Sequence, residues 1–197
     1  MSRNMIRFGY AIPVMFLVTI FGCGLFRDSY NHLTNRVSEL GYLGSPTQYW
    51  FTIGLLICSF LSFWFVMALV SECKRQKLSV LPVVILFSFT FSIAGAGIFP
   101  MPTWWHGVLG MPSFFMLLSP VLAYILWRNN EHIPYLKRWV VVAMIFFLLG
   151  FLVFTPEILP GFQGMKQRFF HLGWMIWFVY LSWVFGTIQE CDNSTQK

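Results

Sequence analysis

Polar and apolar positions along this chain separate into long apolar runs divided by short polar connections. Six runs, at about 8–26, 50–70, 79–99, 107–127, 139–155 and 169–188, carry few charges. Runs of about 18 or more such residues are long enough to cross a bilayer as helices. Within a run such as "VVVAMIFFLLGFLVF" polar and apolar residues do not alternate, as membrane-barrel strands would. Backbone groups in lipid need a helix or a closed barrel to satisfy them. The pattern therefore predicts an all-α, integral membrane six-transmembrane-helix bundle. The runs use up most of the chain, so residues 1–197 read as a single six-span membrane domain.

The connections alternate in character. Those after the second and fourth runs, "ECKRQKLS" and "RNNEHIPYLKR", are short and basic, with His132 a solvated loop histidine beside Glu131. The first connection is richer. Tyr30, Leu33, Val37 and Leu40 recur at three- and four-residue spacing, one apolar stripe of a helix. His32, Arg36 and Glu39 share the opposite face, Asp28 or Ser29 can cap the start, and Gly41 can stop it. This predicts a short amphipathic helix in the first outer loop, lying flat over the bundle. Ser45, Pro46 and Gln48 then read as a capped entrance to the second span. In the third connection "FPMPTWWHG" holds His106 at the mouth of span four, and in the fifth "TPEILPGFQGMKQRFFH" brings Gln167, Arg168 and His171 to the opening of span six. Trp104, Trp105, Trp127 and Trp139 fall at run ends, as interfacial anchors do. Small residues inside the runs (Ser59, Ser62, Ser92, Gly95, Gly97, Gly110, Ser113) suit close helix packing.

Composition agrees: at 57% hydrophobic and 20% aromatic, the chain lacks the polar surface a water-soluble fold of 197 residues needs. The net charge of +6 is a matter of placement. Nine basic residues (Arg3, Arg7, Lys74, Arg75, Lys77, Arg128, Lys137, Arg138, Lys197) fall on one side and four (Arg27, Arg36, Lys166, Arg168) on the other. The positive-inside rule then places both termini in the cytoplasm. A nucleic-acid reader would gather its charge on one folded face, and none is expected here. The four cysteines give no disulfide framework: Cys58 is mid-span, Cys73 and Cys191 face a reducing side, and Cys23 lacks an outer partner. "TIFGC" at 19–23 resembles a lipoprotein cleavage site, but Phe21 fits that signal poorly and the apolar run continues, so an uncleaved first span is expected.

Candidate chemistry gathers where three outer connections converge. One reading is a pocket in which Arg36, Glu39, His106, Gln167, Arg168 and His171 bind a lipid headgroup or small anionic ligand. A second is a metal-dependent lipid hydrolase: His32, His106 and His171 hold a zinc ion with an open position, and Glu39 or Glu157 is the base. A third is a scaffold with no chemistry at the cluster. No run contains a lysine, which excludes a retinal-type Schiff base, and no Walker pattern occurs. Every carboxylate stands at or beyond a run end, which argues against an ion-coupled transporter. The expected partners are membrane lipids. Self-association stays open, and no inner-side partner site is evident.

"RVSELGYLGSPTQYWFTIGLL", "GIFPMPTWWHG" and "GMKQRFFHLGWMIW" together resemble a prokaryotic six-span membrane family catalogued as domain of unknown function 998. Its motifs fall here on Ser38, Leu40, Gly41, Phe99, Pro100, His106, Gly107, Gln167 and Arg168, while Met101 stands where family members often carry an acidic residue. The resemblance implies the six-span topology and a prokaryotic cytoplasmic (inner) membrane, and it assigns no reaction. "VSELGYLGSP" is also similar to a stretch in eukaryotic proteins of the damage-regulated autophagy modulator (DRAM) type, whose relatives are linked to lipid remodelling.

Overall fold

The structure, a computed structural model, describes residues 3–195; of the positions weighed above, the side chains of Arg3, Cys191 and Lys197 lie outside the description. Six helical segments are long and apolar enough to cross a membrane: Asn4–Leu25, Gln48–Arg75, Leu81–Ile98, Trp104–Trp127, Leu136–Phe154 and Gln163–Gln189. They are called spans one to six. No strand occurs among the described residues, and the chain is a multi-pass membrane protein. Each span packs on the next, and span six closes the ring against span one.

Aromatic rings fill the middle of the ring. Trp174 and Phe178 of span six meet Phe89 of span three at 4.7 and 5.2 Å between centroids, while Phe16 and Phe65 approach from spans one and two. Hydroxyls join spans two and three across the bundle: Ser59 Oγ donates to Thr90 O at 2.9 Å, and Thr52 Oγ1 to Gly97 O, also at 2.9 Å. In lipid, where apolar contact alone does not discriminate, such bonds fix which helix faces meet.

Five of the six spans run longer than the apolar windows suggested, span three being shorter, and two polar residues come within their end turns. Span two continues to Arg75 and carries Glu72, buried, with Arg75 and Gln189 donating to its carboxylate. Span six begins at Gln163 and carries Lys166, fully buried, its Nζ donating to Thr155 O at 3.0 Å. A cation at the carbonyl end of span five offsets that helix's unpaired acceptors. Both groups stand in the end turns of their spans, so the middle of each described span holds neither lysine nor carboxylate. Trp127 also departs from expectation: it is buried, with its Nε1 donating to Ser79 O at 3.0 Å, rather than anchored at an interface.

The first connection shows the largest difference from its sequence pattern. The amphipathic helix predicted there is absent: residues 27–36 form turns, and a single 3-10 helix covers Val37–Gly41. The reason is where the backbone groups go. Leu33 O accepts from Met165 N–H at 2.8 Å and Thr34 O from Gly164 N–H at 3.2 Å, so this connection caps the start of span six. In a continuing helix those carbonyls would bond residues 37 and 38 instead. Asn31 and Asn35 build the turn locally: Asn35 Oδ1 accepts from Asn31 N–H and Asn31 Oδ1 from Leu33 N–H, each at 2.9 Å. The connection also reaches the segment before span four, where Leu43 N–H donates to Met101 O at 2.7 Å. It therefore roofs one end of the bundle, called here the capped end. Gly41 is not a helix stop; a Cβ there would come within 2.4 Å of Phe51, so it serves close approach to span two. The entrance to span two starts at Gln48, two residues after Pro46, with Thr47 Oγ1 donating to Leu40 O at 2.6 Å.

Gly164 makes the roof possible, because a Cβ at this position would stand 2.2 Å from Asn35 O. Gly164→Ala is expected to lose stability by about 1–3 kcal/mol, the usual cost of overpacking. Thermal unfolding in detergent against Gly22→Ala, where a Cβ meets nothing within 4 Å, checks it. Equal midpoints for the two variants would contradict the close docking.

Candidate functional site

Under the roof lies a cavity of about 530 Å³. Its lining is mostly apolar and aromatic, with Phe16, Phe51, Phe89, Phe114, Phe170 and Trp174. Set among these are the polar side chains of Arg36, Ser38, Ser92, Thr103, His106, Ser113, Gln167 and His171. Arg36 and Ser38 come from the first connection, Thr103 and His106 from the start of span four, and Gln167 and His171 from the first turns of span six. The volume and the mixture match small-molecule sites, which run to about 300–1,000 Å³ and set a few polar groups in an apolar lining.

The six residues expected to bind a ligand divide into two groups. Arg36, His106, Gln167 and His171 line the cavity. Arg168 and Glu39 do not; they build the roof instead. Arg168 Nη1 donates to Asn35 O at 3.1 Å and Gly164 O at 3.0 Å, and its Nη2 to the Tyr30 hydroxyl at 2.9 Å and His32 Nδ1 at 2.7 Å. Three of these bonds from one planar group fix the first connection against span six, and the fourth stays within the helix. Glu39 accepts from Arg36 N–H at 2.9 Å and from Asn35 Nδ2 at 2.8 Å, closing the 3-10 turn. A guanidinium and a carboxylate so engaged have little left for a ligand. Gln167 does both: its Oε1 accepts from Val37 N–H at 2.7 Å while the side chain lines the cavity. Arg36, exposed at the rim, has no carboxylate partner among the described residues.

The three histidines do not form a metal set; among the described residues no three of His, Cys, Asp and Glu stand where one ion could be held. Each Nδ1 is committed elsewhere. His106 Nδ1 lies 3.1 Å from Ala96 O and 2.9 Å from Phe99 O, so it carries the proton and caps the end of span three. That leaves Nε2 as the free acceptor in the neutral ring. His171 has the other tautomer: its Nδ1 accepts from Trp174 Nε1–H at 3.1 Å, so the proton sits on Nε2, which is shut from solvent without a partner. His32 packs behind the lining, between Phe21 and Tyr30, in the space left by Gly24. Glu157, the other base considered, is exposed on the fifth connection and outside the lining. The hydrolase reading therefore has neither its ligand set nor its base at the cavity.

Trp174, which holds His171, was not singled out in the sequence, and Ser92 and Ser113 were read there only as small packing residues. Both serine hydroxyls donate to Gly110 O, at 2.5 and 2.7 Å. Trp174 stands one helical turn after His171, so the i, i+3 rule could have paired them. Ser92 and Gly110 lie on different spans, and nothing in the sequence joins them.

Burial and the Arg168 charge hold His32 below its ordinary value of 6.5, and the Arg168 bond requires an unprotonated Nδ1. Below that pH the unfolded chain takes up the proton first, so this contribution to stability is complete above about 6.5 and declines as pH falls. The unfolding midpoint is expected to drop between about pH 7 and pH 5, and His32→Gln, which keeps an acceptor that does not titrate, should flatten the drop. An identical pH slope in His32→Gln would remove His32 as its source.

The chain was compared with known proteins. The family described as Protein of unknown function (DUF998) matches residues 10–184. No curated protein and no solved structure matches, and the weaker likeness to the damage-regulated autophagy modulator type is not among the findings. With one family match running from the first span into the sixth, the chain belongs to that family of multi-pass membrane proteins.

Proposed function

We propose that the chain is a single six-span binding domain whose capped-end cavity holds the anionic headgroup of a lipid or a small anionic ligand. The carrying observation is the convergence of Arg36, His106, Gln167 and His171 on one largely apolar cavity. Arg36, with no carboxylate partner among the described residues, supplies positive charge at the rim. His106, with Nδ1 given to the end of span three, keeps Nε2 for a ligand, while the His171 ring lines the wall with its own Nε2 shut from solvent. The uneven distribution of basic residues supports a cytoplasmic location for both termini, with the capped end on the outer side of a prokaryotic inner membrane.

Arg36→Ala removes a rim charge that makes no part of the roof through its side chain, so the fold should persist. Losing a charge-assisted bond worth about 1.5–3 kcal/mol should weaken binding of an anionic lipid by about 10–100-fold. Native mass spectrometry of the purified protein, titrated with phosphatidylglycerol and phosphatidylcholine, checks this. Equal retention of phosphatidylglycerol by wild type and Arg36→Ala would overturn the reading.

A further inference from the structure

The side walls of the cavity differ from one another in a way that points to how it is filled. Where spans one, two, three and six form the wall, the lining is closed: Phe16, Phe51, Phe89 and Trp174 are buried. On the fourth and fifth spans the lining is open, with Gly107, Met111 and Phe154 exposed, the last two each at 55%. These two spans are also the least covered by protein, 22% and 28% buried against 61% for span six.

Span four is interrupted beside this gap. Its three parts, Trp104–Gly110, the 3-10 stretch Met111–Leu117 and Leu118–Trp127, all pack on span three, and the last part also packs on span five. Pro112 has no N–H to offer Val108 O, so the regular ladder cannot continue. The Ser92 and Ser113 hydroxyls on Gly110 O help keep polar backbone satisfied at the interruption. Beside the gap Phe114 forms a sill, its ring 5.2 Å from Phe151, 5.4 Å from Phe154 and 5.0 Å from Phe170. Gly107 and Gly110 line the cavity, and a Cβ on either would meet no protein atom within 4 Å. Their lack of a side chain relieves no clash inside the protein; it leaves space.

We infer that the gap between the outer halves of spans four and five is a lateral entrance, and that the occupant is an anionic lipid arriving from the bilayer. Its headgroup sits at Arg36, and one acyl chain passes over the Phe114 sill past Gly107, Gly110 and Met111. This deepens the binding reading above and rests on it. A lining that is mostly apolar with a cation exposed at its rim matches such an amphiphile, and a free anion would leave the apolar lining unused. A cavity of about 530 Å³ accommodates a headgroup and part of a chain, so the rest of the lipid stays in the bilayer through the gap.

The test places the full chain in phosphatidylcholine vesicles containing phosphatidylglycerol with a photoreactive diazirine on its acyl chain. After illumination, labels are mapped by peptide mass spectrometry. Labelling is expected to concentrate on residues 107–114 and 150–154, and to fall by roughly an order of magnitude in Gly110→Leu. Gly186→Leu, at another open glycine, is expected to label as wild type. Labels spread evenly over all lipid-facing positions, unchanged in Gly110→Leu, would overturn the entrance. Titration with soluble glycerol phosphate separates the two readings. If it binds in an Arg36-dependent way while the acyl probe gives no concentrated label, lateral entry falls and the anion pocket stands. If neither probe binds, both fall.

Discussion

Everything at the capped end depends on how one guanidinium is satisfied. Arg168 stands near the start of span six, where the helix presents unpaired N–H groups, and it grips the first connection through three acceptors while a fourth bond goes to Gly164 O of its own helix. That grip brings the Leu33 and Thr34 carbonyls onto the Met165 and Gly164 amides, so the same contact caps the helix. Gly164 supplies the close approach. A lysine would carry the charge but not the planar fork that reaches four acceptors at once. A buried donor is costly unless it is met; four of the five guanidinium N–H groups are met here, while Nε–H is buried without a partner.

With the roof fixed, the rest of the site follows from chain geometry. Arg36 and Gln167 come to the cavity because the 3-10 turn at Val37–Gly41 is bonded to span six through Gln167 Oε1. His106 comes because it caps span three with one nitrogen and is left with the other. His171 comes because Trp174 holds its ring in place. In each case a structural bond orients a side chain that lines the cavity, although the remaining N–H of His171 is shut from solvent. The rest of the lining is ordinary aromatic core that stops short of closing on the side of spans four and five, beside Gly110 and Pro112.

Much of the fold was legible in the sequence, and the limits of that legibility have physical causes. The six spans were readable because lipid leaves no alternative to long apolar helices. Their ends were not, because Glu72 and Lys166 look like loop residues until Gln189 and Thr155 O satisfy them. The first connection carried a correct helical period, yet its carbonyls serve span six, a tertiary demand no local pattern reports. The convergence of three connections was foreseeable from topology. What could not be read was the division of labour within it, in which Arg168 and Glu39 hold the roof while Arg36 and Gln167 face inward. That division turns on which donors meet which carbonyls 130 or more residues away.

Amide hydrogen exchange of the protein in detergent tests the Arg168 clamp most directly. The clamp predicts that amides of Val37, Gly164 and Met165 exchange as slowly as those of the surrounding spans, although the first lies in a connection, and that Arg168→Gln speeds all three together. Exchange at these positions as fast as in the exposed 156–161 connection, or unchanged in Arg168→Gln, would contradict it.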